Sequence, residues 1–225
     1  KVHREMNAIA YRGDKSNSNT DSKLVTTQRS IGYGKLNDEL YKQFFLNPEE
    51  RKAAKDGYIY IHDRSARLDT TNCALLDIKA IFDGGFEMGN LPYTDPHTVD
   101  VACDVLGDVI MAAASSQYGG LSVRIDDFLA PYCQKSFDKY YKKYFDMIED
   151  MCGIEASKED VIKYATKDVI RELEQGLQGL EIKLNSVASS RGDYPFVSFA
   201  FGLDTSHWGR IVSEVALRVR MGGQG

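Results

Sequence analysis

Apolar residues recur along this chain with two periods. Leu36, Leu40 and Phe44 fall on one face of a helix predicted over Lys35–Leu46. Asn47-Pro48-Glu49-Glu50 then starts a second helix: Asn as N-cap, Pro at the first helical position, acids in the first turn. That helix stops at Gly57, and Tyr58 to Ile61, aromatic or β-branched, reads as a short strand. Asp95-Pro96 opens a long helix through Ser116, with Val99, Ala102, Val105, Leu106, Val109, Ile110 and Ala113 at helical spacing. Gly107 in its middle permits close contact with a neighbouring helix. Gln117-Tyr118-Gly119-Gly120 ends it, because Gly suits the left-handed C-terminal position.

Leu121 to Ile125 reads as a strand and Asp126 to about Asp150 as a helix. Ser157 with Asp160 resembles a capping box and begins a helix to about Ser189. Tyr194 to Leu203 is a continuous apolar strand of the kind buried in a parallel sheet. Asp204-Thr205-Ser206 caps a last helix, Trp208 to Met221. Residues 1–16 read as a helix end followed by a polar break, and Asn17 to Asp21 favour turns. Strand–helix units recur after residue 71, so the expected class is α/β with parallel strands.

Composition narrows the function. Apolar content of 43% and charged content of 27% are ordinary for a globular protein. A net charge of -5 argues against a nucleic-acid surface. The aromatic and lysine residues that alternate between Phe137 and Phe145 therefore read as a core or dimer face. No apolar run of about 20 residues predicts a membrane span, and no signal peptide is visible, so a cytoplasmic location is expected. Cys73, Cys103, Cys133 and Cys152 form no CxxC pair, which fits a reducing compartment and no metal site.

The candidate chemistry centres on Asp69-Thr-Thr-Asn-Cys-Ala-Leu-Leu-Asp-Ile78. Cys73 follows Asn72 and two hydroxyls and precedes an apolar run that periodicity allows as strand or helix. It is a candidate catalytic thiol, or a small core hydrophobe. His62, in the His62-Asp63 pair, either orients a substrate or proton path or caps a turn. Arg191, in Ser189-Ser190-Arg191-Gly192-Asp193, either contacts a phosphate or base or is a solvated turn residue. Cys103 sits on a helix and reads as core.

Several motifs stand together in a telling order. They are Asn17 to Arg29, Asp56 to Asp63, Asn72-Cys73, Gly85-Phe-Glu-Met-Gly-Asn90, Gln117 to Gly120 and Tyr194 to Gly202. The set resembles the anaerobic, class III glycyl-radical ribonucleoside-triphosphate reductases along nearly the whole chain. The resemblance implies a ten-stranded α/β barrel, of which this chain supplies the N-terminal half. It favours a strand at Cys73. Residues 1–57 would be an N-terminal helical region and 58–225 the first part of the barrel.

The resemblance further implies reduction of ribonucleoside triphosphates to deoxyribonucleoside triphosphates for DNA synthesis. The glycyl radical, outside this chain, would be installed by a radical-SAM activating enzyme. Formate or a thiol would be the reductant, and ATP or dNTP effectors would act on a homodimer. Asn72-Cys73 resembles the second active-site cysteine, which protonates the departing 2′-hydroxyl. Gln117, Gly119, Gly120 and Arg191 stand where reductase loops relay effector identity. A thiol near pKa 8.5 is mostly protonated at neutral pH and suits that role.

Two alternatives stay open: a glycyl-radical enzyme of the pyruvate formate-lyase type, and a non-catalytic nucleotide-binding or dimerisation piece. The chain starts at Lys1 rather than Met and ends at Met221-Gly-Gly-Gln-Gly225, which reads as a piece of a longer protein. An open half-barrel with unpaired edges is expected to fold poorly alone or to associate. Residues 1–225 alone, with an activating enzyme present, are expected to reduce no ribonucleoside triphosphate, having one candidate catalytic cysteine and no glycyl-radical segment. Deoxynucleotide formation by that piece, followed by chromatography of the products, overturns this expectation.

Overall fold

The computed structural model describes residues 25–62, 64–65, 71–116, 118–152, 157–190 and 192–222, with Arg4 as an isolated helical residue. The elements are α1 (Val25–Phe45), α2 (Pro48–Asp56), β1 (Thr71–Leu76), α3 (Ile78–Gly84), β2 (Glu87–Met88), β3 (Leu91–Pro92) and α4 (Val99–Ser116). They continue with β4 (Tyr118–Arg124), α5 (Asp126–Cys152), α6 (Lys158–Ser186), β5 (Phe196–Ala200) and α7 (His207–Gly222). The chain forms two compact units. One takes Lys1–Ala74, Met111–Leu121 and Asn185–Val197; the other takes Leu75–Ile110, Ser122–Leu184 and Ser198–Gly225. The predicted turns at Asn17 to Asp21 lie outside the described residues.

The main sheet has the strand order β1–β4–β5. It is parallel, as the strand–helix alternation predicts: Ile125 N, just past the end of β4, donates to Ala200 O at the end of β5 at 3.0 Å. Each strand leads into a helix, which is how parallel neighbours are connected. Glu87–Met88 and Leu91–Pro92 form a small antiparallel hairpin in the Gly84–Asn90 region.

In the first unit, the predicted caps hold. Asn47 accepts from Glu50 N at 2.9 Å while Glu50 accepts from Asn47 N at 2.8 Å, and Gly57 closes α2 at φ 84°. The turn before β5 is tied down too. Buried Thr27 donates its hydroxyl to Gly192 O at 2.7 Å, and Ser190 N donates to Ser115 Oγ at 3.0 Å. Gly192 has φ 91° and no room for a Cβ against Thr27, so only glycine fits there.

The second unit holds most of the core. Val99, Leu106 and Ile110 of α4 and Val161, Val169, Leu173 and Leu180 of α6 are all fully buried or nearly so. Gly107 and Gly176 set how closely these helices approach. A Cβ on Gly176 would sit 3.0 Å from both Asp100 Cα and Cys103 Sγ, and one on Gly107 would sit 2.9 Å from Lys183 Cδ. Phe82 of α3 meets the rings of Tyr93 at 5.0 Å and Phe128 at 4.7 Å. The aromatic–lysine stretch of α5 faces α6: Tyr140 Oη and Lys139 Nζ each bond Glu172 at 3.1 Å, and Tyr144 bonds Asp168.

Several expectations are corrected. Tyr58 to Ile61 forms no strand, and both tyrosines are 85% exposed. The first helix starts earlier, at Val25, and Leu36 and Phe44 on its predicted face are exposed. The long helix begins at Val99, not Asp95, whose carboxylate instead accepts from Tyr93 and Tyr132. Cys73's strand ends at Leu76, and Asp77 caps a helix there by accepting from Ala80 N at 3.2 Å. Gly119 and Gly120 lie within β4, not in a cap or loop. β5 is shorter than Tyr194–Leu203 and alternates exposed with half-buried residues.

Gly176→Ala is expected to lower the thermal unfolding midpoint of the protein. Overpacking costs roughly 1–3 kcal/mol against a helix-propensity gain of at most about 1 kcal/mol. A raised midpoint would show that α4 and α6 are not in tight contact.

Candidate functional site

β1 carries the candidate thiol. Strand side chains alternate, so Cys73 and Leu75 share one side while Ala74 and Leu76 take the other. Cys73 is exposed, Leu75 is 88% exposed, and Ala74 and Leu76 are half-buried. Cys73 is thus exposed in this chain, whereas Cys103 and Cys133 are the buried core thiols. Burial pushes both of those thiols up in pKa, which keeps them protonated and inert.

The other side of the sheet is packed: Leu121 and Val123 of β4 are buried. On the open side, Arg124, Ser198 and Ala200 are exposed. A parallel sheet is ordinarily covered on both faces, so this open face is unusual.

In the second unit a cavity of about 580 Å³ lies at the carboxyl ends of the strands. Leu75 and Leu76 of β1, Ser122 and Arg124 of β4 and Ala200 of β5 line it, together with Asp77 to Ala80, Asp83 and Asp127. Its volume falls within the range of small-molecule sites, about 300–1,000 Å³. Its position is where open α/β sheets bind ligands. Arg124 donates Nε to Asp127 Oδ1 at 3.3 Å and Nη2 to Oδ2, and Lys79 Nζ stands 3.7 Å from the same Oδ2. Two cations thus converge on one carboxylate oxygen beside an apolar floor. An anionic oxygen from a ligand would find the same two partners.

Asp126 is fully buried at the start of α5. Its Oδ2 accepts from the backbone N–H groups of Gly202, Leu203 and Asp204 at 2.8, 2.9 and 2.8 Å. Burial pushes this carboxyl up, but the amides of Asp204, Asp127, Gly202 and Leu203 outweigh it and hold the group below 3.8.

His62 is exposed and stacks edge-on with Tyr60, 6.2 Å between centroids. Asn72 lies in β1, its side chain outside the description, and Gln117 and Arg191 lie outside the described residues. Gly120 is half-buried in β4. Sequence reasoning missed Lys79, Arg124, Asp126 and Asp127. The signal was Arg124-Ile-Asp-Asp127 at a strand–helix junction, where the carboxyl-end rule directs attention.

Fold and site together define an α/β protein with a cavity of mixed polar and apolar lining at the carboxyl ends of parallel strands and an exposed thiol on the first of them. Residues 16–225 match the family described as anaerobic ribonucleoside-triphosphate reductase, and the chain belongs to that family. It is 34% identical over 212 residues to the anaerobic ribonucleoside-triphosphate reductase of Escherichia coli, covering 93% of this chain and 28% of that protein. It is 32% identical over 212 residues to the Haemophilus influenzae protein of that name, covering 93% of this chain and 29% of that one. The phage T4 protein of that name is 29% identical over 231 residues, covering 100% of this chain and 36% of that protein. The chain therefore spans roughly a third of the length of these curated relatives. Among the described residues no helix is long and apolar enough to cross a membrane.

Asp126 gives a signed pH dependence. A carboxyl lowered on folding stabilises above 3.8, and that contribution is lost as pH falls through the folded value. Protection of the Gly202, Leu203 and Asp204 amides against hydrogen exchange is expected to hold above about pH 5 and to fall by the equivalent of roughly 1.5–3 kcal/mol at lower pH. Protection unchanged down to pH 3, after correction for intrinsic exchange, would show that Asp126 does not hold the turn.

Proposed function

We propose that this chain is part of an enzyme that reduces ribonucleoside triphosphates to deoxyribonucleoside triphosphates by anaerobic radical chemistry, for DNA synthesis. The observation that carries the reading is Cys73, an exposed thiol on the open side of the first parallel strand, in a chain matching the reductase family over residues 16–225. The open side of the sheet supports a further reading: β1, β4 and β5 belong to the N-terminal half of a ten-stranded α/β barrel whose interior that side faces. Residues 58–225 supply this barrel part and residues 1–57 a helical region before it.

Cys73 is the acid on the 2′ side of the ribose. Its thiol proton passes to the 2′-hydroxyl, which leaves as water. Asn72 and His62 are proposed to orient the substrate around it. The glycyl radical, formed by a radical-SAM activating enzyme, would make ribose 3′ hydrogen abstraction possible through a second cysteine, and both would lie elsewhere in the parent polypeptide. Formate or a thiol supplies the reducing equivalents. The parent is a cytoplasmic homodimer under ATP and dNTP control.

The cavity at the carboxyl ends is proposed as a nucleoside triphosphate site. Lys79 and Arg124 would exchange the Asp127 oxygen for a phosphate oxygen, and Leu75, Leu76 and Ala200 give an apolar wall. Gln117, Gly119, Gly120 and Arg191 are proposed to relay effector identity through the start of β4 and the turn before β5.

In the full-length parent, Cys73→Ser is expected to leave the glycyl radical signal intact by electron paramagnetic resonance. Deoxynucleotide formation should fall at least about 1,000-fold, or roughly 4 kcal/mol at 1.36 kcal/mol per tenfold. Tritium release from the ribose 3′ position should persist. Near-normal product formation would remove Cys73 from the chemistry, and complete loss of 3′ exchange would make it the hydrogen-abstracting cysteine instead.

A further inference from the structure

The turn Phe201–Asp204, which carries β5 into α7, is held more firmly than an exposed turn requires. Gly202 and Leu203 are exposed, so water would satisfy their amides. Instead, three successive N–H groups converge on one oxygen of a carboxylate that has no solvent contact. Among the described residues its other oxygen, Oδ1, has no hydrogen-bond partner. Placing an ionised carboxylate there is unfavourable unless charge-assisted bonds offset the lost hydration.

Two more features act on the same turn. Gly202 sits at φ 98°, where any other residue is strained. Asp204 caps the turn toward α7, accepting from Ser206 N at 2.8 Å, and it packs where a Cβ on Gly209 would otherwise lie. None of these features buries apolar surface, since Leu203 is 73% exposed. What they share is control of backbone shape.

The place of this turn is informative. Three consecutive residues reach the cavity by different routes. Ile125 N bonds Ala200 O, on the cavity wall, at 3.0 Å. Asp126 holds the turn that begins one residue after Ala200. Asp127 is the carboxylate on which Arg124 and Lys79 converge.

We propose that Asp126 is a positioning residue of the cavity: it fixes the Phe201–Asp204 turn, so that the wall contributed by β5 is set before a nucleoside triphosphate enters. This rests on the reading of the cavity as a nucleotide site. Loss of such pre-organisation shows in affinity. When only a fraction of the free protein is binding-competent, the apparent dissociation constant rises by the reciprocal of that fraction, while saturating ligand restores the competent form.

The test uses the activated full-length parent, with the ribonucleotide substrate varied in one series and the deoxynucleotide effector in another, since either triphosphate would suit the cavity. Asp126→Asn keeps the side chain's shape and removes its charge. The KM of the substrate or the activation constant of the effector is expected to rise about tenfold, with kcat at saturation within about twofold of wild type. The series that moves identifies which nucleotide the cavity takes. Gly202→Ala strains the same turn through its φ alone, there being no atom within 4 Å of the added carbon. It is expected to give the same split, and the double variant less than the product of the two, because both loosen one element. A fall in kcat with both constants unchanged, or no change in any constant, overturns the assignment. If Lys79→Ala and Arg124→Ala leave both nucleotide constants unaltered, the nucleotide reading of the cavity fails, and this proposal with it.

Discussion

A carboxylate sealed from water constrains the carboxyl ends of this sheet. Asp126 is tolerable in its position only because three amides of one turn are aimed at a single oxygen. That requirement couples the start of α5 to the entry of α7. With the Ile125–Ala200 bond one residue earlier, it keeps the ends of β4 and β5 together. Ala200, on the cavity wall, lies within that coupled segment. The ionised state of Asp126 is in turn set by the amides rather than by solvent, so turn geometry and charge support each other.

The helical core of the second unit relies on shape. Gly107 and Gly176 let α4 and α6 approach until a single added carbon would meet the side chains of Lys183 and Leu180 at one and backbone or sulfur at the other. The ion pair from Lys183 to Asp108 at 2.9 Å decorates that contact at the surface and contributes little beside the buried leucines and valines. The hydroxyl-to-carboxylate bonds from α5 to α6 serve a different need. Tyr140 sits half-buried against Glu172, and burial together with that carboxylate pushes its phenol up to about 12. The proton therefore stays on the phenol and the donor is permanent over the physiological range.

The open side of the sheet is the counterpart of this packed side. Fully burying a leucine is worth roughly 1.5–3 kcal/mol, so Leu75 at 88% exposure is a standing incentive for cover. Cys73 stands on that side two residues before it. Chemistry that must exclude water would gain from whatever closes over this face.

What the sequence determined by itself is local. The Asn47 capping box and the Gly57 stop were legible because the interacting groups lie within four residues of each other. The core face of α4 was legible because Val99, Ala102, Leu106 and Ile110 repeat at the helical period, and Gly107 as a contact point because nothing else on that face is as small. Cys73 stood out through its immediate neighbours. The tertiary structure decided whatever depended on distant partners. Tyr58 to Ile61 has strand composition yet forms no strand, and β propensity alone does not make one. Gly119 and Gly120 look like a helix stop, yet they are drawn into β4 by the sheet. Asp126 reads as an ordinary first-turn acid. Only the return of the chain 76 residues later, bringing the amide of Gly202 to its oxygen, makes it the anchor of the site. Long-range pairing of this kind leaves no periodic trace in the sequence, because each partner satisfies its local rules without the other.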